Sequence, residues 1–311
     1  MKKTLLVGLG GAGDLILACQ AVHWIQRKVG AENVELLCLA RDETFEPIKL
    51  LFGDQIIIKQ HELKEKWGEH YQLITNPNIL KQLKDEYAEI NIVVPDLLFR
   101  AREYSFNFEK YNTNPQLVFQ TRLLTQKYCP KNIIYCAFAN TTTHEYWIDN
   151  VKLLIEKLAE LLPDYQLYVP VLLNWNNEPI INSDKNAELR NLPSNVLVDF
   201  NPPWERALSF MSQSCFLIGL DSFPFHAAFQ FGICRLCLDP HFNINKNNNQ
   251  IWVARWRNTG ANDSIEINTP AELVAKLVFT NIKIPQTTLL PKWFVLNNLG
   301  VDWGSYLGFK F

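Results

Sequence analysis

The stretch TLLVGLGGAGDLILACQAVHWI, from Thr4, constrains the fold most. A short apolar run reaches three spaced glycines, Gly8, Gly10 and Gly13, and then enters a segment with Leu15, Cys19, Val22 and Ile25 at helical spacing. Buried strand, glycine loop, helix is the reading. Asp14 is placed as the helix cap and Gly30 as its stop. Glycines between a strand and a helix let backbone N–H groups approach a ligand, and the helix start favours an anion. The same glycines also permit tight strand–helix packing with no ligand at all.

The alternation continues. VELLCLA, QIIIK, YQLIT and INIVVP read as further strands with helical pieces between them; ETFEPIKLLFG is a helix that Pro47 confines to its later part. Apolar runs without polar alternation suit strands covered on both faces. From Asp96 to Tyr128 the text is aromatic, charged and irregular, ending in a helical LVFQTRLLTQKY. CPKN at 129–132 marks a boundary, after which the rhythm resumes. IIYCAFA, YQLYVPVLL, NVLVDF, CFLIGL and ICRLCLD read as strands, and WIDNVKLLIEKLAELL, WERALSFMSQ, PFHAAFQFG and TPAELVAKLVF as helices. The last has Thr269 as cap and Pro270 at its first position. The expected organisation is α/β in two tandem Rossmann-like units, residues 1–130 and 131–280, each with a parallel sheet. An aromatic tail, 281–311, is expected to pack back on them.

At 311 residues, the length suits two domains, and a net charge of −2 gives no basic excess, so nucleic acid is not an expected partner. The seven cysteines lie mostly in apolar runs, which reads as buried thiols in a reducing compartment. Cys234 and Cys237 form a C-x-x-C inside a strand, where structural burial is expected over metal or redox work. No apolar run reaches the ~20 residues of a membrane span, and no secretory signal follows Met1, so a cytoplasmic protein is expected.

Two loops carry candidate chemistry. A dinucleotide reading of the first asks for an acidic residue after the second strand. Arg41 followed by Asp42 would suit a phosphorylated nicotinamide cofactor instead, so an NADP-dependent oxidoreductase stays open. The second loop is FLIGLDSFPFHAAFQFGI, 216–233. Here Asp221 and Ser222 follow an apolar strand and precede a helix, where ligands of open α/β sheets bind. Ser222 and the helix-start N–H groups suit a diphosphate, Asp221 a cap or a sugar hydroxyl, and His226 reaches the same place.

Taken together, GGAGDLILACQAVHWIQ and CFLIGLDSFPFHAAFQFGI resemble glycosyltransferase family nine, the heptosyltransferase-like family of lipopolysaccharide assembly. FANTTTHEYWIDNVKLLIEKL is similar to the opening of that family's second domain. The resemblance implies a GT-B fold, two facing Rossmann-like domains with an interdomain cleft. It implies Asp14 as general base, and Gly11, Gly13, Thr142, Asp221, Ser222 and His226 as donor-binding residues. The implied activity is an inverting, metal-independent transfer of a heptose or similar sugar. The donor is a nucleoside-diphosphate sugar, acting as co-substrate rather than cofactor. The acceptor is a glycan or glycolipid, with peripheral contact at the inner face of a membrane. The chain departs from the pattern at Phe223, where the family has glycine, and at Glu145, where many members have lysine; the family's other donor-binding lysine has no match. Positive charge for the diphosphate is therefore sought at Arg255, with Arg257 and Arg206 as further candidates. A nucleotide-sugar-binding relative without activity is a further alternative.

Overall fold

The computed structural model describes residues 3–9, 11–62, 81, 83, 85–93, 131–138, 144–171, 189, 191–220, 222–239, 263–266 and 270–283. The expected strand YQLIT, the helix through LVFQTRLLTQKY and the tail from residue 284 lie outside them. The chain divides into two compact units, Met1–Thr125 and Gln126–Phe311.

In the first unit, β1 (Lys3–Leu9) leads to α1 (Ala12–Val29), β2 (Val34–Ala40), α2 (Asp42–Phe52), β3 (Ile57–Glu62) and β4 (Tyr87–Val93). The strands are parallel in the order β3-β2-β1-β4. Helix α1 lies close on β1 because Gly8 has no side chain: a Cβ there would stand 3.0 Å from Leu15 Cδ2 and 3.1 Å from the Ala18 methyl. Gly8 is thus a packing glycine. Helix α2 runs straight through Pro47, contrary to the expected late start. The N–H that Pro47 lacks would have bonded the carbonyl of Glu43, in the exposed first turn where water can serve.

At the N-terminal end of this sheet one carboxylate ties the strands together. Glu35 of β2 is buried and bonds Lys3 Nζ of β1 at 2.5 Å, Lys59 Nζ of β3 at 2.5 Å and the Tyr87 hydroxyl of β4 at 2.8 Å. Burial pushes its carboxyl up, but the hydrogen bonds from the two lysines and the tyrosine outweigh that and hold it down at about 2.

The second unit holds β5 (Lys131–Ala137), α3 (His144–Leu161), β6 (Gln166–Val171), β7 (Val196–Phe200), α4 (Trp204–Gln213), β8 (Ser214–Gly219), α5 (Phe223–Phe231), β9 (Cys234–Asp239), β10 (Asp263–Glu266) and α6 (Ala271–Lys283). Its sheet is also parallel, ordered β10-β9-β8-β5-β6-β7. The expected apolar stripe is buried at Val151, Leu154, Ile155 and Leu158 of α3 and at Leu162 just past its end, against Val274 and Val278 of α6 and the apolar face of the sheet. The Asn195 amide closes the end of α3 by donating to the carbonyls of Ala159, Leu162 and Tyr165 at 3.2–3.3 Å. Strand β10 was not expected. Three of its four residues, DSIE, are polar, because at a sheet edge there is less to bury against.

Candidate functional site

Strand order says where a ligand would lie. In an open parallel sheet the ligand crevice opens beyond the C-terminal strand ends, where the strand order reverses. Counted from β5, the second sheet reads 3-2-1-4-5-6, the nucleotide-binding order, and the reversal falls between β5 and β8. The first sheet reads 3-2-1-4, and its reversal falls between β1 and β4. The glycine loop leaves the end of β1 and the Asp-Ser loop leaves the end of β8. Each motif therefore stands at the switch point of its own sheet.

The helix after β1 begins with Gly11 as its N-cap, three residues earlier than expected, and Asp14 is its third helical residue. The Gly11 N–H donates to Asp14 Oδ2 at 3.1 Å, so the carboxylate reaches back over the helix start. Asp14 is 6% exposed. Gly11 has ordinary extended geometry, φ −74° and ψ 172°, which any residue adopts. A Cβ on it would meet, among the described residues, only Asp14 Oδ2, at 3.9 Å. Nothing in the backbone requires glycine here; its absent side chain leaves room beside the carboxylate. Gly13 is buried in the first turn. Arg41 and Asp42, the alternative cofactor residues, stand at the start of α2, with Arg41 Nη2 3.6 Å from Glu43 and Asp42 accepting from Gln60 at 2.8 Å.

In the second unit Gly219 closes β8 against β5. A Cβ there would lie 2.7 Å from the Ala137 methyl and closer still to the Ala137 carbonyl oxygen. The chain stays on β5 for one more bond, Leu220 N–H to Ala137 O at 3.0 Å, and then turns into α5. Ser222 is the N-cap residue, but its hydroxyl bonds back to the Leu220 carbonyl at 3.2 Å instead of capping the helix. Pro224 brings no N–H to the first turn, and the N–H groups of Phe225 and His226 bond the Ser222 carbonyl. The Phe223 N–H is the leading donor of the helix, ahead of these two bonds.

Phe223, the departure from glycine, turns its ring edge-on against Trp204 of α4 at 4.9 Å and is buried. The larger side chain is thus absorbed by packing against α4. His226 is 1% exposed, and its ring meets Phe225 edge-on at 6.1 Å. Thr142, Asp221, Arg255 and Arg257 lie outside the described residues, as does the side chain of Glu145. Arg206 is committed elsewhere: its Nε is 2.7 Å from Asp199 Oδ2, which also accepts from the Tyr168 hydroxyl at 2.9 Å.

One cation escaped the sequence reading. Arg235, the middle of CRLC on β9, is 2% exposed. Its Nη1 donates to the Phe225 carbonyl in the first turn of α5 at 2.5 Å, and its guanidinium lies 4.4 Å from the Phe225 ring and 5.3 Å from that of Phe229. An arginine inside an apolar strand run was the available signal, because a buried charge must find compensation. The flanking Cys234 and Cys237 are buried and not in a disulfide, and no cluster of three or more His, Cys, Asp or Glu suited to a metal occurs among the described residues.

An α/β architecture with two parallel sheets is the fold class, and solved structures of nucleotide-sugar proteins share it. The chain is similar to E. coli heptosyltransferase WaaC with ADP, at 9% identity and TM-score 0.55, over 90% of this chain and 97% of that one. It is similar to the glycosyl transferase family 9 protein from Veillonella parvula, at 12% identity and TM-score 0.53, over 98% and 97%. It is also similar to UDP-GlcNAc 2-epimerase from Neisseria meningitidis bound to UDP-GlcNAc, at 12% identity and TM-score 0.51, over 92% of each chain. No protein-family model matches the sequence, and no curated protein matches it. The fold is thus GT-B-like and heptosyltransferase-like, as the two motifs implied. Among the described residues no helix is long and apolar enough to cross a membrane.

Proposed function

We propose that the chain is a glycosyltransferase that moves a sugar from a nucleoside diphosphate to a hydroxyl of a glycan or glycolipid, with inversion and without a metal. The observation that carries this reading is the difference between the first helical turns that follow the two switch-point strands. At the first, the helix start is met by the carboxylate of Asp14. At the second, the first turn carries no acidic residue and a buried guanidinium lies behind it. A helix start already met by a carboxylate is poorly suited to a second anion, whereas the other favours one.

In this mechanism the acceptor hydroxyl lies beside Gly11. Asp14 takes its proton as the oxygen bonds to the anomeric carbon. The bond from that carbon to the diphosphate oxygen breaks on the opposite face. The departing nucleoside diphosphate carries the electron pair toward Ser222 and the Phe223 N–H, which stabilise its growing charge. Thr142, Asp221, His226 and Arg255 are donor-binding residues of the same proposal, and Gly11 and Gly13 keep the approach open. A glycolipid acceptor would bring peripheral contact with a membrane surface. Heptosyltransferases and an epimerase share the fold, so sugar and nucleotide are left to experiment.

The burial of Asp14 favours a second reading, a nucleotide-sugar-binding protein in which that carboxylate only closes the helix. Titration with ADP, UDP and their sugars, followed by assay of diphosphate release with glycan acceptors, separates the readings. Acceptor-dependent release supports transfer, binding without release supports the second reading, and binding of NADP in place of both supports an oxidoreductase.

A further inference from the structure

The second unit contains a cation that the transfer scheme does not yet use. Arg235 reaches α5 from β9 and bonds the Phe225 carbonyl. That carbonyl is inside the helix, not among the four terminal ones that need an outside donor. Completing the helix therefore does not require an arginine. Burying a guanidinium is unfavourable in itself, and its stacking on Phe225 and Phe229 offsets part of that cost. What the arrangement achieves is placement. Phe225 is three residues beyond Ser222, so the guanidinium sits about one helical turn, roughly 5 Å along the axis, behind the helix start. There its field adds to that of the backbone dipoles. A buried charge is also screened by salt much less than a surface one.

We infer that Arg235 is a positioning residue for the diphosphate of the donor: it fixes the first turn of α5 and adds a constant positive potential behind it. The chain lacks the lysines that its resemblance led us to expect, and this buried arginine supplies charge from beneath the helix. The inference rests on the proposal that the second unit binds a nucleoside diphosphate.

The test compares ADP and UDP with adenosine and uridine, which lack the charge, in titrations of the whole chain. Arg235→Gln keeps a donor for the Phe225 carbonyl and removes the charge; Arg235→Lys keeps both charge and donor. Arg235→Met serves as a second uncharged variant should the glutamine protein not fold. The expected result is a loss of about tenfold or more in diphosphate affinity for the uncharged variants, with nucleoside affinity unchanged and lysine restoring most of the loss. A merely structural arginine would weaken diphosphate and nucleoside alike, and that outcome overturns the inference, as does unchanged diphosphate affinity in Arg235→Gln. If the unmodified chain binds neither ADP nor UDP, the functional reading fails first and carries this inference with it.

Discussion

The two helix starts that follow the switch-point strands have the same backbone logic and opposite chemistry. At α1, small residues surround a carboxylate that turns back over the start of the helix. At α5, every residue from Phe223 to Phe231 is buried, the cap is a serine, and the charge is a guanidinium underneath. A strand–loop–helix unit therefore does not determine what it binds. Helix dipoles are alike, and the side chains of the first turn decide whether that potential is already taken by the protein or kept for a ligand. On the proposed function, the difference corresponds to proton removal in the first unit and charge stabilisation in the second.

The strongest way to break this contrast is Asp14→Asn. The amide oxygen can still accept from the Gly11 N–H, so the helix start should survive while basicity is lost. Transfer should fall by roughly 10²–10⁴-fold, the range for a general base, with diphosphate affinity unchanged. Steady-state rates and binding titrations read the two apart. Transfer near the unmodified level would return Asp14 to a purely structural role.

Next in size is Glu35, at the other end of the first sheet. Glu35→Gln should cost roughly 2–3 kcal/mol in urea unfolding, since charged hydrogen bonds to three strands are lost together. The pH dependence has a definite sign. The carboxyl is held at about 2 in the folded chain against 4.5 unfolded, so its contribution is fully present above pH 4.5 and is lost as pH falls through about 2. In the glutamine variant that segment of the acid profile should be missing. Equal acid sensitivity in both proteins would show that Glu35 does not drive it.

A pair of glycines sharpens the comparison at smaller scale. Gly219→Ala forces a methyl into the backbone of Ala137 and should destabilise the second unit by about 1–3 kcal/mol. Among the described residues, the Cβ of Gly11→Ser meets only Asp14 Oδ2, at an ordinary 3.9 Å, and the variant supplies a capping hydroxyl, so the melting temperature should hold or rise slightly. Its transfer rate should nevertheless fall about tenfold if an acceptor occupies that space, as a displaced reactant loses alignment. A serine variant with full activity would mean that the room beside Asp14 is unused.

Much of this was legible in the sequence because it depends on period and punctuation. Apolar runs marked the central strands, and the glycine and Asp-Ser loops were placed correctly after β1 and β8. What was missed depends on contacts distant in sequence. Asp14 was expected as the cap, but the chain enters the helix at Gly11 and the carboxylate folds back. Pro47 was expected to delay α2, but its lost bond falls in an exposed first turn. Strand β10 was too short and polar to stand out, since only pairing with β9 makes it a strand. Arg235 was passed over inside a strand assigned to packing; its role depends on a carbonyl ten residues earlier in the chain.

The smallest expected effect concerns Arg206, an exposed arginine that sequence reasoning put forward for the diphosphate. Its guanidinium is bound to Asp199, which also holds the Tyr168 hydroxyl, while Tyr168 stacks on Phe210 at 4.0 Å. With the arginine side chain 52% exposed, the ion pair is weakened by solvent, and Arg206→Ala should cost no more than about 1 kcal/mol. Diphosphate affinity should not change if, as inferred above, the cation that acts on the diphosphate is Arg235 beneath α5. Set beside Arg235→Gln, the alanine variant tests whether it is the position of the charge in the second unit, and not its mere presence, that the ligand reads. A comparable loss of ADP affinity in both variants would show a diffuse positive field at work and remove the special standing of the buried arginine.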